Sequence, residues 1–153
     1  MAKKSSKVKE PAVAYEKTSN LSVSDILHID DHPLDEPFDR LEVFRKGLPR
    51  KSFDSLKELS GMDYNTLATA LGVSSKTLQR KEVFDTIQSE KIYQLASLYA
   101  LGINYFGKEG FKRWMDRPLF TLGNRKPLDL IDVSEGIDLL KSEIMKLQYG
   151  IAI

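Results

Sequence analysis

The 153-residue chain contains no cysteine and only two histidines. The absence of cysteine excludes disulfide frameworks, thiolate zinc sites, iron–sulfur clusters and cysteine nucleophiles. No apolar run approaches the ~20 residues that a membrane-spanning helix needs, so we expect a cytoplasmic protein with no membrane partner. The formal net charge is only +1, from 23 basic and 22 acidic residues. Any attraction to nucleic acid must therefore come from a local surplus of basic residues.

Charge is distributed unevenly along the chain. Residues 1–24 carry five lysines and two glutamates, whereas residues 25–44 carry seven acidic residues and one arginine. The first stretch is typical of a mobile basic tail. Because Pro33 and Pro37 interrupt the acidic stretch, we expect loops and short turns there. We therefore predict that residues 1–37 form a mobile N-terminal tail and an acidic linker.

From about Phe38 onward, apolar residues recur at helical spacing, and strand signals are almost absent. The predicted fold class is therefore all-α. Polar cap residues and glycines mark the expected ends of the helices. The predicted helices are one that ends before Gly47, one capped by Ser52 and ended at Gly61, one from Asp63 to Gly72, one from Ser75 to about Lys81, one from near Ser89 to Gly102, one around Phe111–Met115, and one from Ser134 to about Tyr149.

The segment Tyr64–Lys81 has the layout of a helix-turn-helix. Ala68 is small where two helices would cross closely, and Gly72 allows the positive φ that the turn needs. Val73 and Leu78 would hold the second helix against the first. The outward side of the second helix would offer polar groups to phosphates and base edges, whereas an αα-hairpin with a solvated face is the alternative. The predicted DNA-binding residues are Ser75, Lys76, Thr77, Gln79, Arg80 and Lys81.

The last predicted helix carries a narrow apolar stripe, followed by an apolar segment. Such a stripe usually faces the protein's own core, which we predict for its upper turns. Residues Tyr149–Ile153 contain no charged side chain, so a groove in this protein or in a partner should cover them. The single tryptophan, Trp114, is either a core residue or an interface residue. The stripe consists of Ile137, Leu140, Ile144, Leu147 and Ile151.

Short motifs occur in a fixed order between Phe44 and Ile153. They are Gly47-Leu48-Pro49, Leu71-Gly72-Val73-Ser74, Thr77-Leu78-Gln79-Arg80, Trp114-Met115, Pro118, Leu122-Gly123, Pro127-Leu128-Asp129-Leu130-Ile131, Ser134-Glu135-Gly136 and Tyr149-Gly150. In this order they resemble the Xre/ParS-type antitoxins that pair with RES-domain toxins. Asn124 stands where that family commonly has a second glycine, and asparagine tolerates the positive φ of such a turn.

The resemblance implies an antitoxin with two functions. Residues 38–105 would form an Xre-like helix-turn-helix domain that binds the operator DNA of its own operon, as a homodimer because one short helix contacts few base pairs. Residues 106–153 would bind and silence a cognate RES-domain toxin, which consumes NAD or uses it for ADP-ribosylation. The catalytic chemistry would belong to the toxin, so we predict no enzyme activity and no cofactor. The predicted toxin-binding residues are Trp114, Tyr149, Gly150, Ile151 and Ile153.

Two other functions remain open from the sequence. A stand-alone dimeric transcriptional repressor would keep the helix-turn-helix and use residues 106–153 only for dimerisation. A metal-dependent enzyme would need His28 and His32, four residues apart, as ligands on one helix face. Pro33 pushes His32 away from helical geometry, and the chain has no further histidine, so we predict no metal site.

Overall fold

The computed structural model describes residues 20–30 and 33–150, and the predicted mobile tail falls mainly on residues 1–19, outside the described residues. The described ranges contain only helices, turns and isolated β-bridges, so the prediction of an all-α fold is confirmed. None of these helices is both long and apolar enough to cross a membrane. The α-helices are α1 (Val23–Leu27), α2 (Pro37–Lys46), α3 (Arg50–Ser60), α4 (Tyr64–Leu71), α5 (Ser75–Arg80), α6 (Thr86–Phe106), α7 (Lys108–Met115) and α8 (Ser134–Gln148), and two 3-10 helices span Phe120–Leu122 and Pro127–Leu130.

The 21-residue helix α6 lies at the centre of the fold. Helices α1, α2, α3, α4, α7 and α8 all pack against it, so its buried residues occur on several sides rather than in one stripe. In residues 20–30 and 33–150 one hydrophobic core results, which extends from Ile26 in α1 to Ile144 in α8. The two predicted domains meet at the last turn of α6 and share this core. The buried residues of α6 are Ser89, Ile92, Leu95, Ala96, Leu98, Tyr99, Ala100 and Gly102.

The prediction that α6 starts near Ser89 is wrong by one turn. α6 begins at Thr86, because Asp85 and Gln88 form a capping box in which each side chain accepts a hydrogen bond from the other residue's backbone N–H. Ser89 is buried inside the helix, where its hydroxyl accepts a hydrogen bond of 2.8 Å from the backbone N–H of Leu48. Ser89 therefore ties α6 to the turn that follows α2.

The prediction that Gly102 ends α6 is also wrong, since the helix continues to Phe106. The ring of Phe111 in α7 lies directly against the Gly102 backbone, and a Cβ at this position would overlap that ring. A glycine is needed here because α6 and α7 approach too closely for any side chain. The residue predicted as a helix stop is therefore the contact point between α6 and α7.

The acidic segment contains a short helix where the sequence predicts loops and turns. The Ser22 hydroxyl accepts a hydrogen bond from the Asp25 backbone N–H, and the Asp25 carboxylate accepts one from the Ser22 backbone N–H. These bonds hold the pKa of Asp25 below its ordinary value. Ile26, Leu27 and Leu34 are buried in the core. At these residues the prediction of an acidic linker is wrong, because the segment forms part of the packed fold.

Ser52 is buried and forms a hydrogen bond between two helices, so it is not the predicted N-cap. α3 begins at Arg50, directly after Pro49. The Ser52 hydroxyl donates a 2.7 Å hydrogen bond to the backbone carbonyl of Leu27. This bond joins α3 to the end of α1, so a polar side chain is satisfied inside the core.

We predict that Gly102→Ala destabilises the protein. The added methyl group would displace the Phe111 ring, and overpacking of this kind costs about 1–3 kcal/mol of the free energy of unfolding. Chemical denaturation monitored by circular dichroism measures this loss. Glu90→Ala, at an exposed position of the same helix, is the control and should change stability by less than about 0.5 kcal/mol. Equal stability of the two variants would contradict the assigned close contact.

Candidate functional sites: the recognition helix and the C-terminal face

Helices α4 and α5 form the predicted helix-turn-helix geometry. α4 is capped by Asp63, whose carboxylate accepts a 2.8 Å hydrogen bond from the Thr66 backbone N–H. α4 ends at Gly72, which has a φ of 72° and so turns the chain toward α5. Leu78 of α5 is fully buried against the core. Because Leu78 fixes one side of α5, the opposite side faces solvent.

The predicted DNA-binding residues lie together on this outward side and on the two ends of α5. Ser74 caps the helix by accepting a 3.1 Å hydrogen bond from the Thr77 backbone N–H. The Gln79 amide donates a 3.2 Å hydrogen bond to the Ser75 hydroxyl, which orients it along the surface. Basic and amide groups in this arrangement can donate to phosphates and to the major-groove edges of bases. Lys76, Thr77, Gln79 and Arg80 are exposed, whereas Ser75 and Lys81 are half-buried.

Arg50 holds α5 from its inward side, a contact that the sequence did not predict. One nitrogen of its guanidinium, Nη1, donates to the backbone carbonyls of Leu78 at 2.6 Å and Lys81 at 3.0 Å. The second terminal nitrogen, Nη2, donates to the Tyr64 hydroxyl at 3.2 Å. The cation also lies over the Phe53 ring, 5.3 Å from its centre. Arg50 thus joins the start of α3, the start of α4 and the end of α5.

Lys91 connects the helix-turn-helix with the segment that leads into α8. Its ammonium group donates to the backbone carbonyls of Ala70 at 2.9 Å and Asp132 at 3.0 Å. Partial burial disfavours the charged form and lowers the pKa of Lys91 below its ordinary value. One turn further along α6, Gln94 accepts a 2.9 Å hydrogen bond from the Ser134 hydroxyl. The position of α4 is therefore linked to the start of α8.

A groove on the C-terminal face lies between the α7–α8 region and the first 3-10 helix. Trp114 is half-buried, and its ring stacks on Phe106 and Phe111 with centroid distances of 5.3 and 5.7 Å. Trp114 therefore belongs to the core on one side and to the groove on the other. Phe120 is 88% exposed, and no sequence motif had marked it as a binding residue. The groove is lined by Trp114, Leu119, Phe120, Thr121, Glu143 and Leu147.

The apolar stripe of α8 divides into a buried part and an exposed part. Ile137, Leu140 and Ile144 are fully buried, as predicted for the upper turns, whereas Leu147 is 39% exposed. Tyr149 directly follows α8 and is 77% exposed. Gly150 has a φ of 70°, so the chain leaves the direction of the helix there. The predicted binding residues Ile151 and Ile153 lie outside the described residues.

The histidine pair that was weighed and rejected as a metal site is only partly described. His28 follows α1 with a φ of 56°, and its backbone is therefore no longer in a right-handed helix. His32 lies outside the described residues. Within residues 20–30 and 33–150, no three histidine or acidic side chains come together in a way that would hold a metal ion.

Two family models match consecutive parts of the chain. The antitoxin Xre-like helix-turn-helix domain matches residues 39–97, and the antitoxin Xre/MbcA/ParS C-terminal toxin-binding domain matches residues 101–150. The chain belongs to the Xre/MbcA/ParS antitoxins. The resemblance seen in the sequence motifs is thereby confirmed, as is the order of a helix-turn-helix part followed by a toxin-binding part.

Individual relatives of the antitoxin agree with this assignment. The chain is 24% identical over 128 residues to the "Prs ADP-ribosylating antitoxin" of Sphingobium sp. (strain YBL2). This alignment covers 74% of this chain and 80% of the relative. The fold of this chain is similar to that of a chain in the crystal structure of the M. tuberculosis MbcT–MbcA toxin–antitoxin complex. That comparison has a TM-score of 0.54 and 16% identity, and it covers 68% of this chain and 96% of the other.

We predict that Arg50→Met destabilises the protein and weakens DNA binding without removing a DNA contact. Loss of hydrogen bonds from a charged donor costs about 1–3 kcal/mol of the free energy of unfolding. Arg50→Lys should not restore stability, since an ammonium cannot reproduce the planar fork. Thermal unfolding and promoter-fragment binding measure the two effects. If Arg50→Lys retains both stability and affinity, Arg50 acts as a simple phosphate contact and the supporting role is wrong.

Proposed function

We propose that this antitoxin neutralises a cognate RES-domain toxin and represses its own operon by binding operator DNA as a homodimer. One observation carries the proposal. The exposed polar side of α5 and the C-terminal face, which lies in the part that matches the toxin-binding family, are both built on the same hydrophobic core. The Sphingobium relative has ADP-ribosylation in its name, which supports a toxin that uses NAD. The reaction would then belong to the toxin, and this chain would act by binding.

Toxin neutralisation is assigned to the segment Tyr149–Ile153. α8 is already held in the core by Ile137, Leu140 and Ile144, so its packing does not require Tyr149. Tyr149 is exposed directly after α8, and Gly150 has a φ of 70°, so the described chain no longer follows the helix there. A site that binds NAD is concave and partly apolar, and a narrow apolar segment can enter it. The groove beside Trp114 and Phe120 would provide the second contact area.

Removal of residues 149–153 should abolish protection against the toxin. Helix content and promoter binding should stay unchanged, because the buried residues that hold α8, Ile137, Leu140 and Ile144, all precede this segment. Rescue of cell growth during toxin expression measures protection, and circular dichroism measures folding. Tyr149→Asp should also reduce protection. Leu139→Ala should not, because Leu139 is an exposed apolar residue of α8 that lies outside the groove.

Two results would contradict this assignment. If the shortened antitoxin still protects cells, the groove at Trp114 and Phe120 carries the neutralising contact instead. If it unfolds, residues 149–153 belong to the core. A stand-alone repressor predicts that no protein encoded beside this gene co-purifies with the antitoxin, and a pull-down of the co-expressed neighbour tests that alternative.

DNA binding is assigned to α5 and requires two copies. α5 has six residues, and a single recognition helix of this length contacts too few base pairs for specific binding. A homodimer would place two such helices on the two halves of a symmetric operator. Gln79 and Arg80 have the chemistry to contact adenine and guanine, and Lys76 has the chemistry to contact a phosphate.

We predict that Gln79→Ala and Arg80→Ala each weaken specific promoter binding by about 1–3 kcal/mol, because bidentate base contacts would be lost. Lys76→Ala should weaken binding to all sequences and reduce the slope of log affinity against log salt by about one. Lys108→Ala, an exposed lysine at the start of α7, is the matched control. Fluorescence anisotropy with operator and scrambled duplexes measures both effects. Unchanged operator affinity in the Gln79/Arg80 double variant would reject the assignment.

A further inference from the structure

The groove on the C-terminal face contains one charged side chain among its apolar and aromatic residues. Glu143 is only 8% exposed, although it lines the groove together with Trp114, Phe120 and Leu147. Glu143 and Leu147 are four residues apart, so they lie on the same side of α8, one turn from each other. A glutamate is almost never buried to this extent unless a partner compensates its charge. The carboxylate is therefore the feature of the groove that needs an explanation.

Within the described chain, the ion-pair partner of Glu143 is Lys146 of the same helix. The Lys146 Nζ lies 3.5 Å from Oε2 of Glu143, and the lysine side chain remains 42% exposed. An ion pair with so well hydrated a cation contributes little. A carboxylate has two oxygens and can accept several hydrogen bonds, so acceptor capacity remains beyond this pair.

The ring of Phe120 is held at the groove by the turn that carries it. The Leu119 backbone N–H donates a 3.1 Å hydrogen bond to the Arg125 carbonyl, and the Asn124 backbone N–H donates one of 2.8 Å to the Leu119 carbonyl. Leu122, in the same turn, is buried in the core. Because these contacts fix the turn, the exposed Phe120 ring cannot fold inward, and its face stays available to a partner.

We propose that the groove binds an arginine side chain of the toxin, with the guanidinium against the rings of Phe120 and Trp114 and its charge on Glu143. This inference rests on the proposed function, which places the toxin on this face. A guanidinium is planar, so it can stack on an aromatic ring and donate two parallel hydrogen bonds to a carboxylate. It is also more weakly hydrated than the ammonium of lysine, so it loses less on leaving water.

The groove suits this occupant better than an apolar, an anionic or a larger one. Its volume is about 220 Å³, below the roughly 300–1,000 Å³ of small-molecule sites, so it matches a single side chain. An apolar side chain would remove water from Glu143 without replacing its hydrogen bonds, which is costly. A phosphate or carboxylate group would be repelled. The groove lies within residues 101–150, which match the toxin-binding domain, so the toxin is the protein that would supply the arginine.

An NMR titration of the free antitoxin tests the groove itself. Trp114 is the only tryptophan of the chain, so its indole N–H gives a single signal in the ¹⁵N-labelled full-length protein. N-acetyl-arginine methylamide should shift that signal saturably, with a dissociation constant of about 1–10 mM for so small a ligand. The citrulline analogue, which is uncharged but similar in shape, should not. Glu143→Gln should abolish the shift, and Phe120→Leu should weaken it, because leucine has no ring for the guanidinium.

Binding to the toxin encoded beside this gene tests the role of the groove in the complex. Biolayer interferometry should show that Glu143→Gln weakens this binding at least tenfold. The matched variant Glu109→Gln, at an exposed carboxylate of α7 outside the groove, should change it by less than about twofold. Lys146→Ala should not weaken binding, because the arginine takes the place of this lysine beside Glu143. Circular dichroism shows that each variant is folded.

Four results would overturn the inference. They are the absence of a saturable indole shift with the arginine probe, an equal shift with the citrulline analogue, wild-type affinity for the toxin in Glu143→Gln, and equal losses of affinity in Glu143→Gln and Lys146→Ala. The last result would give Glu143 a purely structural role in its pair with Lys146.

The groove and the proposed function can fail separately. If no neighbouring toxin binds the antitoxin, the proposed function fails, and the NMR titration still decides whether the groove binds a guanidinium. If Glu143→Gln binds the toxin normally while removal of residues 149–153 abolishes protection, neutralisation stands and the arginine contact is wrong.

Discussion

The burial of α6 on several sides is the constraint on which the rest of the structure depends. In the part of the chain that the structure describes, six helices pack against it, and neither the helix-turn-helix nor the C-terminal face has a core of its own. Ser89 joins α6 to the turn after α2, Lys91 joins it to α4 and to the chain before α8, and Gly102 admits the ring of Phe111. Both functional surfaces are positioned by contacts with one helix, so a change in the packing of α6 reaches both.

The sequence predicted α4 and α5 from caps that join residues three or four apart, but the capping boxes Ser22/Asp25 and Asp85/Gln88, which are equally local, were not recognised. Asp63, Ser74 and Gly72 cap or end their helices through bonds to neighbouring residues, and the predicted bounds of α4 and α5 are confirmed. α1 has such a local cap but is only five residues long, and the burial of Ile26 and Leu27 against distant parts of the chain, which also stabilises it, is not visible in the sequence. A glycine that ends a helix also looks the same in a sequence as one that admits a neighbouring ring.

The predicted surface residues of α5 were accessible to sequence reasoning because one buried leucine, Leu78, fixes which side faces solvent. Arg50 and Lys91 were not accessible. They donate to backbone carbonyls 21 to 41 residues away. Every residue has such a carbonyl, so the sequence does not show which one accepts a hydrogen bond. Phe120 was missed for a related reason, since only the folded 3-10 turn shows that its ring is left uncovered beside Trp114.

Support through backbone carbonyls has a consequence for how this protein can change. Arg50 holds α5 at the carbonyls of Leu78 and Lys81, and these atoms are present whatever side chains the helix carries. The outward residues of α5 can therefore be exchanged while the helix stays in place. Under the proposed function, a lineage can acquire a new operator sequence by substitution at these few positions, while the scaffold that presents them stays the same.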